Sequence, residues 1–307
     1  MLFLMKYLKN LPIINLSKMT RYFLLVFSLV FVSCTEFGEL TFVNDLPVAL
    51  NEVSGIETTG DSDVIWMLND SGNAPELYGL NRRGSVKKVL KIDAKNKDWE
   101  DLTADPSGNL YIGDFGNNEN KRKKLRILKV PASSLNSTTP IQVEYIHFRY
   151  PNQTKFPPKK KKRHFDSESF FFYNDSLYIF TKSRVKNHFG KTNLYKIPAM
   201  PGNHEAQYIN SFESCPEMEC WITAADISKD GKQVALLNHK SVWLFSGFSG
   251  DDFFNGQATE LPFMADLTQK EALCFKDAHT LYITDEYVLG SGGNLYEFKL
   301  TPADRPR

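Results

Sequence analysis

The sequence predicts an all-β chain wound into a five-bladed β-propeller, and three observations carry that expectation. One three-strand phrase returns five times at a spacing of roughly 50 residues, the period of a propeller blade. Turn-forming residues separate the strands of each copy. A spare strand near the start of the chain matches a missing fourth strand at its end.

The middle strand of the phrase reads VIWML at 64–68, LYI at 110–112, LYIF at 177–180, VALL at 234–237 and LYI at 281–283. The third strand follows as ELYGL at 76–80, LRILK at 125–129, NLYKI at 193–197, VWLF at 242–245 and NLYEF at 294–298. Before each middle strand lies an inner one, at 55–56, 101–103, 169–171, 225–227 and 272–274. Gly60-Asp61, Pro106-Ser107-Gly108-Asn109, Asn174-Asp175 and Lys229-Asp230-Gly231-Lys232 supply hairpin turns between these two strands. Fourth strands close four units, at 86–92, 143–150, 207–212 and 259–263, whereas the fifth unit runs out at Leu300. The segment ELTFV at 39–43 has no partner of its own and can complete that last blade, which removes the exposed edges of a linear stack. A six-bladed ring is the alternative. A sandwich would not need such regular repetition.

Composition narrows the partners. The 307 residues carry a net charge of +1, so no general basic field exists to hold nucleic acid. Aromatics make up 13% of the chain, enough with the β-branched residues to fill the cores of several packed sheets.

Residues 1–33 read as a signal peptide. The apolar run at 22–32 is too short to span a bilayer, and Thr20-Arg21 precedes it as a positive n-region, with Met19 a possible true start. Phe31-Val32-Ser33-Cys34 resembles a bacterial lipobox, which makes Cys34 the lipidated N-terminus and 34–38 a short linker to a single domain at 39–307. A plain cleaved signal or an anchor helix is the competing reading. Thr35 after Cys34 lacks the Asp of inner-membrane retention, so the expected location is the cell envelope, anchored to the outer membrane. In that oxidising compartment Cys215 and Cys220, which flank four residues, are expected to form a disulfide. Cys274 sits in an apolar run and reads as a small buried hydrophobe.

Propeller geometry brings the start of each inner strand to one channel mouth, beside the loops that follow the middle strands. Aligning the copies puts Ser54, Glu100, Glu168, Thr223 and Glu271 at the inner-strand starts. The ends of the middle strands read Asn69, Asp114, Thr181, Asn238 and Asp285, followed by Asp70, Lys182, His239 and Glu286. Acids facing one axis repel unless protonated, paired or bridged by a cation, and a hard-oxygen set of this kind suits Ca²⁺ or Mg²⁺. The expected cation ligands are Glu100, Glu168, Glu271, Asp114 and Asp285. Asp70, Trp99, Lys182, His239 and Glu286 are the expected ligand contacts. Pairing of one acid with Lys182, with water around the others, is the alternative to an ion. Trp99 could equally pack between blades, and the run 159–164 reads as a solvated loop more readily than as an anion clamp.

The phrases Ser54-Gly55-Ile56, Asp98-Trp99-Glu100-Asp101-Leu102, Asp166-Ser167-Glu168, Glu271-Ala272-Leu273 and Thr284-Asp285-Glu286 resemble the exported propellers of the SdiA-regulated family. More distantly they are similar to the gluconolactonase and esterase-like phytase propellers. The resemblance implies a divalent cation at the channel mouth, and for the enzymes among those families metal-dependent hydrolysis of lactones or phosphoesters. Two functions follow as expectations. The first is a lipid-anchored envelope propeller that binds a small molecule or protein at its mouth with a divalent cation, Ca²⁺ in the first instance. The alternative is a metal-dependent hydrolase with Glu100 or Glu168 as general base. Neither a Ser-His-Asp order nor a Gly-rich phosphate loop is present to suggest other chemistry.

Overall fold

The first four copies of the repeated phrase each supply four antiparallel strands that run in chain order from the inside outward, and the fifth supplies three. The computed structural model describes residues 40–60, 63–264 and 267–300; the expected signal segment, Cys34 and the linker lie outside the described residues. Blade 1 comprises Val53–Thr58, Val64–Asn69, Glu76–Asn81 and Val86–Lys91. The inner strands of blades 2 to 5 are Trp99–Ala104, Asp166–Tyr173, Ala224–Ile227 and Lys270–Asp277. These five strands neighbour one another in a closed circuit, with the last against the first. The ring therefore has five blades, not six.

Closure works as the sequence predicts. Leu40–Asp45 pairs antiparallel with Asn294–Lys299 and becomes the outer strand of blade 5, with Leu40 opposite Phe298. One strand was not foreseen. Gly202–Glu205 leaves blade 3 and adds in parallel to the outer strand Glu144–Arg149 of blade 2. Its sequence, GNHE, has no apolar alternation to announce a strand; it covers an edge that would otherwise stand open.

Apolar side chains fill the five interfaces between blades. Phe115, Phe170, Tyr150 and Tyr195 pack between blades 2 and 3, and Phe171, Tyr178, Phe245 and Phe253 between blades 3 and 4. Trp66, Trp99, Leu102 and Ile112 join blades 1 and 2, and Trp99 is fully buried there. It takes the inter-blade packing that the sequence allowed as the alternative to ligand contact. Each such aromatic contributes on the order of 2–3 kcal/mol through burial. Among the described residues no helix is long and apolar enough to cross a membrane.

Candidate functional site

In four of the five inner strands the antiparallel register slips by one residue, and the residue left over is the one that reaches the channel mouth. The slips lie between Val53 and Gly55, Trp99 and Asp101, Ser167 and Ser169, and Lys270 and Ala272. The extra residues are Ser54, Glu100, Glu168 and Glu271. A bulge re-aims a side chain that regular pleating would send elsewhere. Blade 4 has no such slip, and its Thr223 precedes the strand, donating its backbone N–H to the Leu237 carbonyl. All five residues line one small cavity of about 140 Å³, together with Asp70, Lys182, Arg184 and Glu286.

The walls of this cavity differ chemically. On the side of blade 3, Lys182 Nζ lies 3.1 Å from Glu168 Oε2, and Arg184 Nη2 lies 3.1 Å from Glu168 Oε1. Arg184 also donates from Nε to Asp166 Oδ2 at 2.6 Å, whose other oxygen accepts the Asn117 backbone N–H. The Trp221 ring lies under both cations, its centroid 5.2 Å from Lys182 Nζ and 4.8 Å from the Arg184 guanidinium carbon. Trp221 is fixed by its own indole N–H, donated to the Ser183 carbonyl at 2.6 Å. It follows directly on the Cys215–Cys220 disulfide, the bridge expected from the spacing. Burial opposes the charge on Lys182, but Glu168 and Glu271 outweigh it and hold the amine above its usual range. Burial likewise opposes ionisation of Glu271, yet Lys182 and the His239 hydrogen bond at 3.3 Å keep it below the ordinary carboxylate value.

On the side of blades 1 and 2 the lining acids Asp70 and Glu100 have no such cation, and Asp98 stands beside them. Asp70, Asp98 and Glu100 each present a carboxylate oxygen within 4.8 Å of the others. Asn96 ties their segments together, donating to the Asp70 carbonyl at 2.8 Å and accepting the Trp99 backbone N–H at 3.0 Å. The nearest cation to this trio, Arg122, reaches Asp98 only at 4.0 Å. Among the described residues the Glu100 carboxylate makes no hydrogen bond or ion pair, although Glu100 is 6% exposed. Burial first, then the charges of Glu168, Asp70 and Asp98, push it well above the usual carboxylate range. Burial, with Asp98 and Glu168 beside it, raises Asp70 to about 6. Burial and Glu271 raise Glu286 to about 8, so it stands largely protonated at neutral pH.

The expected residues thus sort into two groups. Asp70, Glu100, Glu168, Lys182, Glu271 and Glu286 meet at the mouth, with His239 bonded to Glu271. Asp114 and Asp285 do not line it. Asp114 is buried between Arg122 and Arg126, with Arg126 Nε 2.6 Å from Oδ2, and Asp285 accepts from Thr268, Tyr296 and the Asn294 backbone. The reason is the two-residue period of a strand: successive side chains alternate faces, so Asp70 and Glu286 point inward where their predecessors point away. Sequence reasoning missed Asp98, Arg184 and Trp221. Asp98 stands two residues before Glu100, a spacing that could have found it; Arg184 and Trp221 lie in loops with no repeat to align.

At the other end of the channel a larger, more apolar cavity of about 480 Å³ includes Glu57, Phe172, Tyr173, Asp226 and Phe275 in its walls. Its acids are occupied structurally. Glu57 accepts backbone N–H groups from Thr58 and Ala104, and Asp226 accepts from Ile227 and Phe275. The polar mouth is therefore the candidate site despite its smaller volume.

No family model matches the chain, and no curated protein matches it. Similar solved structures include virginiamycin B lyase from Staphylococcus aureus, 14% identical over 83% of this chain and 69% of that one, with a TM-score of 0.42. A streptogramin B lyase is 10% identical, covering 86% of this chain and 88% of its own, with a TM-score of 0.44. The Cps50 β-propeller domain from Myceliophteria thermophila is 9% identical over 85% and 100%, with a TM-score of 0.43. These are likenesses of fold, and the chain is by its own strand order a five-bladed β-propeller.

Proposed function

We propose that this chain is an envelope propeller, anchored through a lipid on Cys34, that binds a small molecule or protein partner at the acidic mouth with a divalent cation as part of the binding surface. The observation that carries the reading is the imbalance across the mouth. Lys182 and Arg184 are committed to Asp166, Glu168 and Glu271, while Asp70, Glu100 and Glu286 have no bonded cation among the described residues. A local excess of buried carboxylates lowers its energy by taking up protons or a hard cation. Lipidation rests on the lipobox-like segment at 31–34.

Binding is favoured over hydrolysis by the state of the two proposed bases. Glu168 is held by two cations and is not free to accept a proton from water, and Glu100 belongs to the acid trio that an ion would bridge, which would engage its carboxylate. Melting of the purified mature domain with Ca²⁺, with Mg²⁺ and with a chelator tests the reading. Stabilisation by an ion, reversed by the chelator, is expected, with no turnover of a lactone and phosphoester panel. An unchanged melting temperature in all three conditions overturns it. Turnover that vanishes in Glu100→Gln would establish the hydrolase instead. Labelling with a fatty-acid probe, lost in Cys34→Ser, tests the anchor.

A further inference from the structure

Resting on the reading of the mouth as a cation-dependent binding surface, the geometry points to a Ca²⁺ site made by Asp70, Asp98 and Glu100, set to one side of the channel between blades 1 and 2. It does not lie on the axis shared by the five inner strands, and it does not use Glu168 or Glu271. Several features converge on this trio. Their oxygens lie within 4.8 Å of one another, the span across an ion whose bonds to oxygen are about 2.4 Å long. Glu100 is more than nine-tenths buried, is aimed into the cluster, and has no partner of its own among the described residues. An unpaired buried carboxylate is costly to maintain, and a cation removes that cost.

Gly116 supplies a separate argument. A methyl group there would lie 1.9 Å from Glu100 Oε1 and 2.5 Å from Asp98 Oδ2, so both acids pack directly against this backbone. Gly116 N–H donates to the Asp98 carbonyl at 3.2 Å, and its own carbonyl accepts from Arg122 at 2.7 Å. Any side chain at this position would displace the ends of the two acids out of the cluster. The acids on the far wall have no comparable need for an ion, since Lys182, Arg184 and His239 already bond them. Three carboxylates leave half or more of a Ca²⁺ coordination sphere to water or to oxygens of a bound molecule on the channel side.

Calorimetric titration of CaCl₂ into the mature domain tests the assignment. The wild type is expected to bind one ion, and Asp98→Asn and Gly116→Ala to weaken it at least about tenfold, as loss of a ligand or of its positioning does. Glu271→Gln, at an acid that His239 and Lys182 already compensate, is expected to alter affinity less than about threefold. Circular dichroism of each variant separates lost binding from lost folding, and Gly116→Ser repeats the steric test. Ca²⁺ binding that survives Asp98→Asn and Gly116→Ala but is lost in Glu271→Gln overturns this site and leaves the functional reading standing. Absence of any Ca²⁺ or Mg²⁺ binding by the wild type overturns both.

Discussion

Asp226 of blade 4 accepts the backbone N–H of Phe275 in blade 5 at 2.7 Å, so a carboxylate on one inner strand is tied to the main chain of the next. The same device recurs where Asp101 accepts from Phe170 at 3.0 Å and Glu57 from Ala104 at 3.2 Å. These bonds close the ring from within, where strand pairing does not reach. Asp226→Ala removes the acceptor and leaves two backbone donors unpaired, which is expected to cost about 1–3 kcal/mol for each group left unsatisfied. Chemical denaturation of wild type and variant measures the difference.

These channel acids also set a pH dependence. Burial raises Asp226 from 3.8 to about 7, and burial with Glu271 raises Glu286 from 4.5 to about 8. Both groups bind their protons more tightly folded than unfolded. Their contribution to stability is complete below about pH 4 and is lost as pH rises through about 7 and 8. In chelator the melting temperature is expected to fall between pH 5 and pH 8.5, and Glu286→Gln to flatten the upper part of that fall. A melting temperature that rises across this interval would show that other groups dominate.

Trp99 tests packing against ligand contact. Its ring is fully buried between blades 1 and 2, and its indole N–H has no partner among the described residues. Trp99→Ala is expected to cost about 3–5 kcal/mol, whereas Trp99→Phe keeps most of the volume and discards an unpaired donor, at a cost below about 1.5 kcal/mol. A stacking role in ligand recognition would instead appear as weakened binding in Trp99→Phe without loss of stability.

Lys182 sits 7% exposed between Glu168 and Glu271. Replacing it with Met leaves Glu168 to Arg184 and Glu271 to His239, and is expected to destabilise the domain by up to about 3 kcal/mol. Lys182→Met with Glu168→Gln should cost clearly less than the two single changes added together, because the second removes a charge that the first left with one cation instead of two. Additive losses in that double-mutant cycle would mean the pair carries no coupling.

The Cys215–Cys220 bridge closes a loop immediately before Trp221, the ring that lies under Lys182 and Arg184. Cysteine to serine at both positions frees a short loop and is expected to cost about 2 kcal/mol by chain-entropy arguments. Melting of the wild type with and without a reductant checks the same quantity without mutation.

Much of this architecture was legible because a propeller repeats. Five copies aligned on LYI-type strands placed Ser54, Glu100, Glu168, Thr223 and Glu271 correctly at one mouth, although their positions run from 54 to 271. Errors came where a repeat gives no phase. Asp285 precedes the inward Glu286 by one residue, which in a strand reverses the face, and Asp114 is followed by Phe115, which packs between blades instead. Lone residues were harder still: Arg184 and Trp221 occupy loops whose length varies between blades, and Gly202–Glu205 forms a strand only because an open edge lies beside it. Gly116 carries no repeat signal, because the groups that crowd it are acids 16 and 18 residues earlier.

The sharpest test is a crystal structure of the mature domain grown with Mn²⁺ in place of Ca²⁺, read in an anomalous difference map. One peak bonded to oxygens of Asp70, Asp98 and Glu100 is the result expected here. A peak on the channel axis between Glu168 and Glu271, or no peak at the mouth under conditions that saturate binding in solution, would contradict it.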